Sequence, residues 1–195
     1  DFKQIEHGNI DALKNAIDEN TACFILETIP ATLGMPIFSR QYMKAVRKLC
    51  DEKNILLILD EIQTGLGRTG KIWCFQHYKI LPDIFITGKG LSGGIYPITA
   101  TCFREKFEVI FKNDPFIHIS TFGGSEIGCF AAMKVIEIAS DKDFLSGVSR
   151  HADYLKSEFE LLAAKYDFFI ECRQIGLFMG LVFKDKPTCW TFLKA

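Results

Sequence analysis

The sequence predicts an α/β fold built on a mainly parallel sheet with flanking helices, followed by the start of a second, small α+β unit. Three observations lead there. Short apolar runs alternate with amphipathic segments in the order strand, helix, strand, helix, strand, which implies right-handed crossovers and parallel pairing. The run at 55–59, Ile-Leu-Leu-Ile-Leu, has no polar interruption, as expected of a strand covered on both faces. This run closes on Asp60, the run at 84–87 closes on Gly88-Lys89-Gly90, and both lead into glycine-rich chain. A carboxylate and an amine are thus delivered to the carboxyl edge of one sheet, where open α/β sheets bind ligands.

Taken in order, Asn9 is a cap for a helix whose stripe is Ile10, Leu13, Ala16 and Ile17, ending near Asn20. Residues 22–26 read as a strand closing on Glu27. Pro30, Gly34 and Pro36 mark an irregular loop. A helix then starts near Ser39 with Tyr42, Val46 and Leu49 inward. After the strands to Asp60 and Thr87, residues 98–103 read as a strand and 107–111 as a short helix or turn. A helix is expected over 126–139 with Ala131, Val135, Ile136 and Ala139 inward, and a longer one from about Asp143 with a stripe of Phe144, Val148, Leu155, Phe159 and Leu162. Residues 168–171 and 177–183 read as strands of the small unit. There are no internal repeats, low-complexity stretches or long linkers.

With 195 residues, 48% of them hydrophobic, and 18 Phe, the chain can bury a substantial core, which argues against disorder. A formal net charge of -1 gives no electrostatic footprint for nucleic acid or for an anionic membrane. No apolar run has the length of a membrane span and no signal peptide opens the chain, so a cytoplasmic location is expected. The seven cysteines are spread evenly, odd in number and without a C-x-x-C pair, which favours buried reduced thiols over a disulfide framework. Cys74 and His77 have a spacing a metal could use, but a structural zinc needs four ligands and no second pair is visible, so packing is the preferred reading.

The segment Asp-Glu-Ile-Gln-Thr-Gly-Leu-Gly-Arg-Thr-Gly at 60–70, then Gly-Lys-Gly-Leu-Ser-Gly-Gly at 88–94, then Ser-Thr-Phe-Gly-Gly at 120–124 resembles, in order, the motifs of the class III aminotransferases. These are fold type I pyridoxal phosphate enzymes that include the ornithine, acetylornithine, 4-aminobutyrate and diamine transaminases. The resemblance implies a PLP-binding large-domain portion over 1–150, and a linking helix with the beginning of the small C-terminal domain over 151–195. It implies transfer of an amino group from an amine or ω-amino acid donor to a 2-oxo acid acceptor.

Lys89 is then the catalytic amine that forms a Schiff base with pyridoxal 5'-phosphate and carries a proton. Of the lysines here, only this one ends an apolar strand between glycines. Asp60 matches the carboxylate that keeps the pyridine nitrogen protonated, although an Asp in this place also caps turns. Gln63 matches the residue that hydrogen-bonds the phenolic oxygen, and Ile62 would pack against the ring; alone it reads as core. Glu27 matches a glutamate near the pyridine side. Thr121 matches the residue that reaches the cofactor phosphate of the neighbouring subunit, which implies a homodimer; a hydroxyl and backbone N–H groups ahead of a helix make an anion site. Glu61 should point to the face opposite Asp60 and is read as a structural partner. For Arg68 a tethering ion pair is preferred to substrate binding.

Two departures qualify the match. Thr32 stands where many members place a second glutamate that gates a substrate-binding arginine. The resemblance also covers only the family's central and later portion, without the upstream glycine loop, the ring-stacking aromatic or the C-terminal arginine, so a fragment with exposed sheet edges is expected. Two other readings are weighed. The 55–61 run resembles a Walker B strand and 91–94 part of a transporter ATPase signature, but they stand in the wrong order and no G-x-x-x-x-G-K-[ST] loop exists. The better rival is a truncated, inactive homologue that binds PLP weakly or only oligomerises.

Overall fold

A computed structural model describes residues 2–194. Helix α1 (Ile10–Ala16) is capped by Asn9, whose side chain accepts from the Asp11 and Ala12 N–H groups. It stops at Ala16, short of the expected Asn20, because Ile17 turns extended and Asp18 closes a local turn with Asn20 and Thr21. Strand β1 (Cys23–Glu27) follows. Helix α2 (Arg40–Lys53) begins at Ser39, whose Oγ accepts from the Tyr42 N–H, and ends on Asn54 in the left-handed conformation. Its buried face is Met43, Val46, Leu49 and Cys50, the spacing that a core-facing helix requires.

Strands β2 (Leu56–Asp60), β3 (Ile84–Thr87) and β4 (Ala100–Phe103) complete a sheet of order β1-β2-β3-β4. The first two pairings are parallel and the last is antiparallel. The fourth strand begins at Ala100, not at 98, because its partner β3 ends at Thr87, which is opposite Ala100 in the register. A short helix, α3 (Phe75–Tyr78), precedes β3, and α4 (Glu108–Asn113) follows β4.

Leu57 and Leu59 are fully buried with Met43 and Val46 in one core cluster, which Phe24, Leu26 and Phe85 flank. The alternate residues face the other way. On that side Ile25 is half exposed and Leu56 and Ile58 are only partly covered. In this chain the uninterrupted apolar run is therefore fully buried on one face and only partly covered on the other, short of the two buried faces expected.

Helices α5 (Glu126–Ser140) and α6 (Lys142–Lys165) form a corner, the second capped by Asp141. Gly128, Ala132 and Ala139 are the buried residues of α5, while Ile136 is exposed; a helix resting on the short Lys89–Ser92 turn buries small residues better than large ones. On α6 only Val148 and Ala152 are buried, and Phe144 and Leu162 of the expected stripe remain about four-tenths exposed, at 43% and 42%. The chain ends in an antiparallel hairpin, β5 (Phe169–Ile175) and β6 (Phe178–Phe183), and helix α7 (Lys186–Lys194). Strand β5 runs four residues beyond the expected 171 because its ladder continues to the tight turn at Gly176. The division expected at residue 150 falls inside α6.

The hairpin docks at two places. Its turn lies on the Arg68-Thr69-Gly70 segment, where the Leu177 N–H donates to the Arg68 carbonyl at 2.9 Å. Gly176 has φ +57°, and a Cβ there would strike the Thr69 carbonyl carbon, so glycine is required both by conformation and by close approach. Arg173 Nη1 donates to the Gly34 carbonyl at 2.6 Å.

Candidate active site

Glu27, Asp60 and Ile86 stand in register at the carboxyl ends of β1, β2 and β3. Asp60 Oδ1 accepts the Ile62 N–H at 2.8 Å, so the turn-capping role is real. Its second oxygen has no protein partner among the described residues. Glu27 Oε2 accepts the Ala31 N–H at 3.3 Å.

Glu61 points away from Asp60 and is fully buried. Its Oε1 accepts from Thr28 Oγ1 and the Phe75 N–H, and its Oε2 from Thr64 Oγ1 and the Cys74 N–H, all at 2.8–2.9 Å. Burial pushes this carboxyl above the usual range, against the pull of those four donors. One side chain thus ties the end of β1, the turn after β2 and the start of α3 together, and holds Asp60 at the sheet edge. Gly65 completes the turn: a Cβ there would lie 2.8 Å from both the Glu61 carbonyl and the Trp73 ring. Further along, His77 Nε2 sits 3.0 Å from the Thr69 carbonyl, and burial lowers its pKa below the ordinary value. Cys74 and His77 thus serve the packing of this loop. Among the described residues no three His, Cys, Asp or Glu side chains are grouped to hold a metal.

Lys89 follows the extended Gly88 and has φ +47°, a left-handed conformation that costs a non-glycine residue roughly 1 kcal/mol or more. The strain is held by its neighbours: Leu91 and Ser92 are buried, and Thr87 closes β3 behind it. The Lys89 amine has no ion-pair partner among the described residues. It lines a cavity of about 470 Å³ together with Ile62, Gln63 and Arg68 from the turn after β2. Val135, Phe144, Val148 and Phe178 form the apolar wall. Asp60 and Glu27 border the strand ends but do not line this cavity, and Thr121 is exposed in the turn before α5, also outside it.

The expected Arg68 ion pair is not formed. The guanidinium has no acidic partner among the described residues; Arg68 is exposed to solvent, and Leu177, whose N–H meets its carbonyl, is apolar. The four-donor shell of Glu61 and the cavity wall from α5, α6 and β6 were not indicated by any motif. Glu61 had a signal in its strand parity; the wall had none, since its residues, from Val135 to Phe178, lie far along the chain from the turn they face.

The residues present fit a pyridoxal phosphate group by their free valences among the described residues: an unclaimed carboxylate oxygen on Asp60, a Gln63 amide without a protein partner and a Lys89 amine without an ion pair. The Thr87 hydroxyl, buried beside them, is also without a partner.

Known proteins bear on the same residues. The family model "Aminotransferase class-III" matches residues 1–195. An uncharacterized aminotransferase of Archaeoglobus fulgidus is 50% identical over 180 residues, covering 92% of this chain and 42% of its own length. The ornithine aminotransferase of Toxoplasma gondii superposes with a TM-score of 0.87 at 34% identity, covering 94% of this chain and 44% of that one. The acetylornithine aminotransferase of Elizabethkingia anophelis gives 0.86 at 33% identity, covering 96% and 48%. The Toxoplasma gondii enzyme crystallized with oxidized glutathione holds PLP at partial occupancy in its active site, and matches with a TM-score of 0.83 at 33% identity over 94% of this chain and 43% of that one. The chain spans less than half the length of these relatives. By sequence along its whole length and by the fold of its sheet, the chain belongs to the class III aminotransferases.

Proposed function

We propose that this chain carries the lysine-bearing part of a pyridoxal 5'-phosphate-dependent transaminase, which moves an amino group from an amine or ω-amino acid donor to a 2-oxo acid. The observation that carries the reading is the unpaired Lys89 amine on a strained turn, sharing a cavity with Gln63 and Ile62 one strand away from Asp60. When bound, the cofactor supplies an electron sink for the bonds at the reacting carbon.

The chain's own residues do the rest. The free Asp60 oxygen would accept the pyridinium N–H and, with the carboxylate held by the Ile62 N–H and by the Glu61 knot behind it, would keep that proton in place. The Gln63 amide would donate to the phenolic oxygen, and Ile62 would pack against the ring. Glu27 stands at the pyridine side. The Lys89 amine would hold the cofactor covalently and would serve as the base that moves the proton at the reacting carbon.

Residues 1–150 make up the cofactor-binding portion, and 151–195 the linking helix and the start of the small domain. Thr121 would reach the phosphate in a neighbouring subunit. Its neighbours Phe122 and Ile119 are 79% and 70% exposed, an apolar surface that fits a homodimer interface. Seven free thiols fit a reducing, cytoplasmic setting.

The test is borohydride reduction of the complete gene product after addition of pyridoxal phosphate, followed by peptide mapping. Label on Lys89, and its loss in Lys89→Ala, is expected. Label scattered over surface lysines would leave the inactive, oligomerising homologue as the better account.

A further inference from the structure

The β5–β6 hairpin clasps the loop that follows β1. In that loop Gly34 and Met35 are both left-handed, at φ +79° and +57°, and a methionine holds that conformation only where its surroundings impose it. Arg173 and Gly180 impose it from directly opposite positions in the hairpin ladder. Arg173 Nη1 donates to the Gly34 carbonyl at 2.6 Å, while its Nε donates to Glu171 Oε1 at 2.9 Å, which fixes the plane of the guanidinium. Gly180 leaves the room that Met35 fills: a Cβ there would lie 3.1 Å from the Met35 sulfur, and Met35 is 4% exposed. The loop then closes on itself, the Met35 N–H donating to the Pro30 carbonyl at 3.1 Å.

The other end of the loop leads to the site. Thr28 is tied to Glu61 and Ile29 is fully buried, so this end is anchored on the sheet. The stretch between, Thr32 to Gly34, is exposed and depends on the clasp. Ala31, which opens the single helical turn 31–33, supplies the one donor that the Glu27 carboxylate has among the described residues.

We propose that Arg173 is a positioning residue for the site: it locks the 30–35 loop so that the Ala31 N–H holds the Glu27 carboxylate in place beside the cofactor. A side chain of the small unit thereby sets the geometry of a group on the large-domain sheet without touching substrate or cofactor. This rests on the proposed placement of Glu27 at the pyridine side and of Lys89 as the reacting amine.

The test uses the complete gene product as parent, Arg173→Gln, Arg173→Lys, Glu27→Gln and the Arg173→Gln, Glu27→Gln pair. Without cofactor, hydrogen exchange at the Ala31 and Met35 amides should be roughly tenfold faster in Arg173→Gln, the scale of one lost charge-assisted hydrogen bond, with exchange in β2 unchanged. Affinity for pyridoxal 5'-phosphate, followed by absorbance titration, should fall roughly tenfold in Glu27→Gln and somewhat less in Arg173→Gln; the pair should bind no more weakly than Glu27→Gln alone, because both changes act through one carboxylate. Arg173→Lys should recover part of both effects, since its amine can still donate to the Gly34 carbonyl. Unchanged exchange at the two amides would overturn the proposal, as would losses that multiply in the pair or faster exchange spread into β2, either of which makes Arg173 merely structural. Full affinity in Glu27→Gln, with borohydride label still on Lys89, would overturn it too. Absence of that label would instead fail the reading of the site, and the exchange result, which needs no cofactor, would still decide whether Arg173 locks the loop.

Discussion

Replacing Glu61 by alanine tests the knot that holds the site together. The Cys74 and Phe75 amides lie in the buried start of α3 and would lose their acceptor. Thr64 would lose its own, while Thr28 can turn toward the Asp60 carbonyl, already 3.4 Å away. Three orphaned donors at about 1–3 kcal/mol each are offset in part by removal of a buried charge, for a net loss of about 3 kcal/mol. Glu61→Gln should cost less, because one oxygen still accepts two bonds while the amide nitrogen meets the Cys74 or Phe75 N–H. The acid–base sign is also fixed. Burial raises the folded-state pKa, so the stability Glu61 contributes is fully present below the ordinary glutamate range and is lost as pH rises through the folded value. Glu61→Gln should remove that slope. The assay is urea denaturation of the complete protein, read alongside hydrogen exchange at the Cys74 and Phe75 amides. A Glu61→Ala protein with an unchanged midpoint and undiminished protection at both amides would refute the reasoning.

Two other perturbations follow from the same geometry. Asp83 is buried at the start of β3; although burial opposes it, the Leu57 N–H, Arg47 and Lys106 hold its pKa down at about 2. Its stabilisation is present above the unfolded carboxylate range and disappears as pH falls from about 4 toward 2. Asp83→Asn should flatten the acid limb of a stability-versus-pH curve at a cost on the order of 2 kcal/mol near neutrality, and an unchanged acid limb would contradict the assignment. Gly176→Ala forces a Cβ onto Thr69 at positive φ and should loosen the hairpin from the Arg68 turn by roughly 2 kcal/mol. The readout is faster exchange at the Leu177 amide, and unaltered exchange would show that the contact is not rigid.

Much of the chain was legible because its signals are local. Asn9 and Ser39 cap where their side chains can accept the next turn's N–H groups, and the apolar runs before Asp60 and Lys89 are strands because nothing polar interrupts them. The parity of one strand was enough to send Glu61 behind the sheet and Asp60 to its edge. Three motifs in order named the family.

The tertiary structure decided what depends on distant partners. The run at 55–59 carries the pattern of a strand buried on both sides, yet which face is covered depends on α2 and on what else packs there. Ile136, Phe144 and Leu162 satisfy a helical stripe but stay exposed, since α5 and α6 bury small residues where they meet their neighbours. Arg68 shows the difference most plainly: a motif fixes its turn, but whether a guanidinium is tethered or free depends on the side chains that come to face it. Leu177, whose N–H meets the Arg68 carbonyl, arrives there from far along the chain, and it is apolar.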